Sequence, residues 1–322
     1  MKTLLLGSAL TLVAVPAFAQ DESCGQVSIS QMNWASAAVV TNVASFILEH
    51  GYGCDVKKVP TDTVPVLVSV AENNEPDIVT ELWLNGVGEV YDRLKSEGRL
   101  VDLGPVLDPG GVDGWWIPDY LAEEHPELKT IDGVLENPEL VGGRFHNCPV
   151  GWGCRVFNDN LLPAFGVEEA GIEIFNHGSG ETLASSIGAA YEDKKPWFGY
   201  YWSPTSILSR YDLVKVDMGP VDEEEFVKVQ DPHAKDVSRT GFPPGPVVTA
   251  VTNSFSDEHP ELVDFLSQLT FSNDTMNEIL LWMEENNASG EEGAVYFLTN
   301  HQDTWSGWLN DAAAENLSQS LQ

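Results

Sequence analysis

Between residues 26 and 97 the apolar side chains change their repeat again and again. Gln26–Ser30 alternates as a half-buried strand does, Ala35–Leu48 holds apolar residues at helical spacing up to Gly51, and Asp55–Val59 is strand-like again. A helix-spaced run at Val64–Val70, an apolar strand at Asp77–Leu82 and a helical run at Val87–Glu97 continue the series. Few architectures accept strands and helices in alternation, because each helix must pack back onto the sheet it leaves. The pattern predicts an α/β fold with a mostly parallel sheet flanked by helices on both faces. Ligands of such sheets sit beyond the carboxyl ends of the strands, and Trp34 and Trp83 both fall where a strand gives way to the next element.

The series is interrupted twice. Asp108–Gly114 is dense in turn residues and marks a crossover. After it come Trp115-Trp116-Ile117-Pro118, a helix-like Pro118–His125, a helix near Glu181–Lys194 and a strand at Trp197–Trp202. A second loop-rich stretch, Asp217–Pro246, leads back to a strand at Val247–Thr252. Helices are predicted at Pro260–Leu269, Thr275–Glu285 and Thr304–Ala314. Two crossovers imply two lobes joined by a hinge: residues 20–108 as the first part of lobe 1, 109–216 as lobe 2, and 217–322 as the hinge return and the rest of lobe 1.

Lys2, the apolar run Leu4–Val15 and Ala17-Phe18-Ala19 have the layout of a cleaved secretion signal over residues 1–19. The run falls short of the ~20 residues that span a bilayer, so the mature chain is expected in the periplasm. An even number of cysteines in an exported chain implies disulfides. Three pairings are open, and local spacing favours Cys24–Cys54 and Cys148–Cys154. The formal charge of −34, from 16 Lys+Arg against 50 Asp+Glu, argues against nucleic acid or an anionic membrane as partner. It suits a cationic or zwitterionic solute, and equally a surface that must stay soluble in salt.

Catalytic signatures are missing. The histidines show no metal spacing, and there is no nucleophile elbow, phosphate loop or calcium loop, so no cofactor, no metal and no catalytic residue is assigned. A secreted sugar or peptide hydrolase is the competing class, but no carboxylate pair can be picked from spacing.

Four tryptophans stand in short segments marked by glycine, proline or polar residues: Gln31-Met-Asn-Trp34, Glu81-Leu-Trp83, Gly151-Trp152-Gly153-Cys154 and Tyr200-Tyr-Trp202-Ser-Pro204. Gathered in one box, their faces would hold a methylated ammonium group by cation–π attraction worth roughly 0.5–2 kcal/mol per ring. Cys148-Pro-Val-Gly-Trp-Gly-Cys154 is the sharpest motif. Its glycines let backbone approach a ligand and aim the amides of Gly153 and Cys154 at an anionic group. Glu81 is open to two roles, a buried carboxylate facing a cation or a partner for backbone. Trp115, Trp116 and Trp197 are expected to pack the second lobe, and Trp282, Trp305 and Trp308 the terminal helices.

Taken together, the cysteine loop, the aromatic strand ending Tyr200-Tyr-Trp-Ser-Pro-Thr205 and Glu81-Leu-Trp83 resemble the solute-binding proteins of ABC importers for glycine betaine and related quaternary ammonium osmolytes. The resemblance spans essentially the whole mature chain. It implies the two-lobed periplasmic-binding-protein fold of type II, a small methylated ammonium ligand, a membrane permease as partner and action as a monomer. Residue by residue, it carries the cage to Trp83, Trp152 and Trp202, and the ligand-facing amides to Gly153 and Cys154; Trp34 is a further candidate, a fourth wall that would suit a small ligand. Some such binders place a histidine four residues after the first cage tryptophan, where this chain has Val87. That departure leaves room for trimethylamine N-oxide beside glycine betaine, choline and dimethylsulfoniopropionate.

Overall fold

The computed structural model describes residues 24–321, so the segment read as a secretion signal, residues 1–19, lies outside the described residues. Twelve strands are described: β1 Gln26–Gln31, β2 Asp55–Pro60, β3 Ile78–Trp83, β4 Leu100–Pro105, β5 Leu107–Asp108, β6 Val112–Pro118, β7 Arg144–Asn147, β8 Glu173–Asn176, β9 Gly199–Ser203, β10 Leu213–Lys215, β11 Val247–Thr252 and β12 Phe271–Ser272. They form a five-stranded sheet in the order β2-β1-β3-β11-β4, a second in the order β10-β6-β9-β7-β8, and a small pair β12-β5.

Each large sheet has a single strand running against the rest. β11 pairs antiparallel with both β3 and β4, and β6 pairs antiparallel with both β9 and β10, while β1–β2, β1–β3, β7–β8 and β7–β9 are parallel. The reversed strand is in each case the first one after the chain passes between sheets. The result is two mostly parallel, helix-flanked lobes, the architecture of a type II periplasmic binding protein.

The helix Ala35–His50 shows why the alternation was readable. Val39, Val40, Val43, Ile47 and Leu48 are wholly buried, and each such side chain contributes roughly 1.5–3 kcal/mol on leaving water. β11 (Val-Val-Thr-Ala-Val-Thr) is buried at every position, as befits a strand between two others. At the crossovers, Gly111 N–H donates to the Gly245 carbonyl at 2.7 Å and Gly245 N–H to Gly111 at 3.2 Å. The two connections therefore form one short ladder. A β-carbon on Gly111 would lie 2.0 Å from the Trp83 ring, so only glycine lets that indole rest on the crossover.

Three local expectations change. The single helix expected at Thr304–Ala314 is two helices, Gln302–Trp305 and Asp311–Ser320, separated by a 3₁₀ turn at Ser306–Trp308. Trp305 and Trp308 are both buried in the core, and the Asn310 side chain starts the second helix by accepting from Ala313 N–H. A 13-residue helix, Gly153–Phe165, starts inside the cysteine loop. The stretch Asp217–Pro246, expected as loop, holds a short helix at Glu223–Val229. Both pairs of cysteines are disulfides, Cys24–Cys54 and Cys148–Cys154.

Candidate functional site

β1, β3, β7 and β9 deliver their carboxyl ends to the space between the sheets. Trp34 follows β1, Trp83 ends β3, Trp152 lies on the loop after β7, and Trp202 is the fourth residue of β9. All four indoles line one hollow there, with Phe157, Tyr200, Thr63, Asn85, Gly86, Asp113, Gly153 and Cys154. About 30 Å³ of it is open to the centre of a water-sized sphere, room for two or three waters.

The rings meet edge to face. Trp34 and Trp152 have centroids 5.3 Å apart at 67°, and Trp152 and Trp202 are 5.1 Å apart at 83°. Tyr200 lies nearly parallel to Trp202, at 18° and 6.1 Å. Such angles make walls and corners and leave π-faces free for a guest.

The indole N–H groups have partners of their own. Trp152 Nε1 donates to Asn33 Oδ1 at 2.6 Å, a bond between residues that follow strands of different sheets. Trp34 Nε1 and Trp83 Nε1 both donate to Glu81 Oε1, at 2.6 and 3.2 Å, and the Ser36 hydroxyl adds a third donor at 2.6 Å. Glu81 is wholly buried and stands behind the rings, not among the residues lining the hollow. Its partners are two indoles and a hydroxyl, where backbone or the guest itself was anticipated. Burial pushes its carboxyl up to about 7, and the three donors hold it from rising further.

A second carboxylate was not singled out from sequence. Asp113 of β6 lines the hollow at 2% exposure, taking the Tyr200 hydroxyl on Oδ1 at 2.7 Å and the Asn85 amide on Oδ2 at 2.9 Å. Burial raises it above the usual carboxylate range, while these donors and nearby Lys215 pull the other way. In the sequence Asp113 reads as a turn residue and Tyr200 as one more aromatic of a core strand, so only the fold distinguishes them. Gly153 and Cys154 open the helix Gly153–Phe165 beside the hollow, where a helix start leaves backbone N–H groups without intrahelical partners.

The reverse sides of Trp34 and Trp202 face a wetter cavity of about 550 Å³ that also touches Asn33, Ser36, Glu181, Tyr201, Thr205 and Glu284. Arg210 pairs with Glu284 at its rim, tying the helix Ser206–Arg210 to the helix Asn273–Asn286. The remaining tryptophans pack elsewhere. Trp115 is buried among Phe145, Phe165 and Phe198 with its N–H on Asn158 Oδ1, and Trp197 stacks on His146. Among the described residues no group of three His, Cys, Asp or Glu is placed to hold a metal ion.

The family model for the substrate-binding domain of ABC-type glycine betaine transport systems matches residues 25–300. Among solved structures, the glycine betaine/L-proline-binding protein ProX from Borrelia burgdorferi is 17% identical with a TM-score of 0.74, over 91% of this chain and 99% of that one. Lactococcal OpuAC, closed on glycine betaine, is 20% identical with a TM-score of 0.70, over 89% of this chain and 100% of its own. An ABC-transporter choline-binding protein in complex with choline is 20% identical with a TM-score of 0.74, over 94% and 99%. At these identities the likeness is one of fold.

Proposed function

Since the chain belongs to the family of substrate-binding domains of ABC-type glycine betaine transport systems, we propose that it captures a trimethylated ammonium osmolyte in the tryptophan-walled hollow, with trimethylamine N-oxide preferred over glycine betaine. It is a solute receptor and not an enzyme, and it hands its ligand to the permease of an ABC importer. The periplasm is the compartment we assign. We assign it action as a monomer.

The observation that carries the choice of ligand is the pairing of four indole faces with a buried carboxylate. No lysine, arginine or histidine is among the described residues lining the hollow, and Asp113 stands within it. A ligand carboxylate would meet Asp113 inside a largely buried hollow that bulk water screens poorly, at a cost that grows as the local dielectric falls. An N-oxide carries one oxygen, which the amides of Gly153 and Cys154 could receive, or a protonated Asp113. The cramped volume also favours the smaller solute. Choline is the second reading, because it is a net cation whose hydroxyl could donate to Asp113.

Calorimetric titration with trimethylamine N-oxide, choline, glycine betaine and dimethylsulfoniopropionate tests this. A five-heavy-atom ligand has a ceiling near ~7.5 kcal/mol, or micromolar affinity. Heat with none of the four would defeat the assignment. Tighter binding of glycine betaine than of the N-oxide would reverse the preference.

A further inference from the structure

We propose that Glu81 is the positioning residue of the cage: its carboxylate fixes the attitude of Trp34 and Trp83 and, by drawing on both indole N–H groups, makes their faces more electron-rich toward a cation. The proposal rests on the ligand class assigned above and gives a role to a side chain that does not touch the ligand.

Three observations converge on it. The first is geometry, since two of the four indoles that line the hollow hang from one oxygen, Oε1, which also takes the Ser36 hydroxyl, while Oε2 has no partner among the described residues. The second is backbone. Between Val79 and Leu82 β3 has two residues where β11 has one, a bulge at Thr80-Glu81, and Glu81 sits at φ +50°. A left-handed, non-glycine residue in a bulge is strained and re-aims its side chain, here to beneath the two rings. The third is isolation. β1, β11 and the rest of β3 carry no titratable side chain, and the helices Ala35–His50 and Thr63–Asn73 carry theirs only near their far ends, at Glu49, His50 and Glu72. Across the hollow the facing carboxylate is Asp113.

Hydrogen bonds to an ionised acceptor are the strong ones, and they polarise the donor. Electron density pushed into an indole through its N–H deepens the quadrupole that attracts an onium group. A role limited to satisfying buried N–H groups would hold the rings equally for any guest of the same shape. An electronic role distinguishes guests by charge.

Glu81→Gln retains an oxygen for the indoles and removes the charge. Titrated at pH 8 with tetramethylammonium and with trimethylamine N-oxide, the folded variant should lose at least tenfold in affinity for the cation and at least threefold less for the net-neutral oxide. Parallel losses for the two probes would overturn the electronic role, as would affinities within twofold of wild type. Wild-type protein that ignores both probes would instead overturn the proposed function. Should the variant fail to fold, ¹⁵N-indole spectra of the wild type decide, with Trp34→Phe and Trp83→Phe assigning the two signals. The Trp34 and Trp83 N–H resonances should lie downfield of the other indoles and move together between pH 6 and 8; signals that stay put would refute a shared carboxylate.

Discussion

Gly86 and Gly153, one from the turn after β3 and one from the start of the helix Gly153–Phe165, meet backbone to backbone: a β-carbon on Gly86 would lie 2.3 Å from the Gly153 carbonyl oxygen. Nearby, Val64 N–H donates to the Gly151 carbonyl at 3.1 Å, and Trp152 holds Asn33. The two lobes are thus in contact around the hollow, and the contact is sized for glycine.

Gly86→Ala should hold the lobes apart without harming either. Affinity for trimethylamine N-oxide should fall tenfold or more while the melting temperature of the empty protein stays within a few degrees of wild type. Titration calorimetry and small-angle scattering with and without ligand check this, and a variant that still compacts on binding would contradict it.

Removing one wall should weaken binding and spare the fold. Trp152→Ala or Trp202→Ala is expected to cost ~1–2 kcal/mol or more in binding. Trp115→Ala should do the opposite, because that ring is fully buried among three phenylalanines and its loss costs about 3–5 kcal/mol of stability. Paired measurements of Kd and Tm separate the two behaviours.

The pH response has a defined sign. Glu81 is raised to about 7 in the folded protein, so between the ordinary glutamate range and about 7 the native state holds a proton that the unfolded chain has released. Stability of the empty protein should therefore decline by about 3 kcal/mol as pH rises through that window, then level off. Asp113 and Asp62, also raised by burial, act in the same sense. A bound cation favours the ionised forms, so affinity for tetramethylammonium should increase with pH toward 7. Chemical denaturation and titration at pH 5, 6, 7 and 8 would show a flat profile if these carboxyls titrated normally.

The disulfides should differ in what they control. Cys24–Cys54 spans 30 residues and should contribute roughly 3–4 kcal/mol to stability. Cys148–Cys154 spans six and joins the strand end to the helix start beside the hollow, so replacing both cysteines with serine should raise Kd severalfold with a smaller change in Tm. Equal effects of the two removals on binding would refute this division.

Sequence patterns reveal elements whose burial follows their period, such as the helix Ala35–His50 and the strand β11. They do not reveal geometry that depends on a neighbour. The helix Gly153–Phe165 escaped notice because it begins at a glycine in a tight loop and contains Pro163, both of which read as breakers. The split at Ser306–Trp308 goes with the Asn310 cap that starts a new helix at Asp311, and in the sequence Asn310 reads as one more polar residue. Asp113, Asn85 and Tyr200 join at the hollow only because β6 pairs antiparallel with β9 and the turn after β3 reaches across to them. The β-bulge at Glu81 is likewise invisible until β11 is laid beside β3, which is why its two indole partners could not be read from Glu81-Leu-Trp83 alone.

Trp83 is at once a wall of the hollow and the ring resting on the Gly111–Gly245 ladder. The crossover between the two sheets thus lies within one aromatic ring of the hollow. On the function proposed above, lobe rims far from that crossover would travel a long arc for a slight turn at it, so a small guest would work the short end of a lever whose long end is the face offered to a permease.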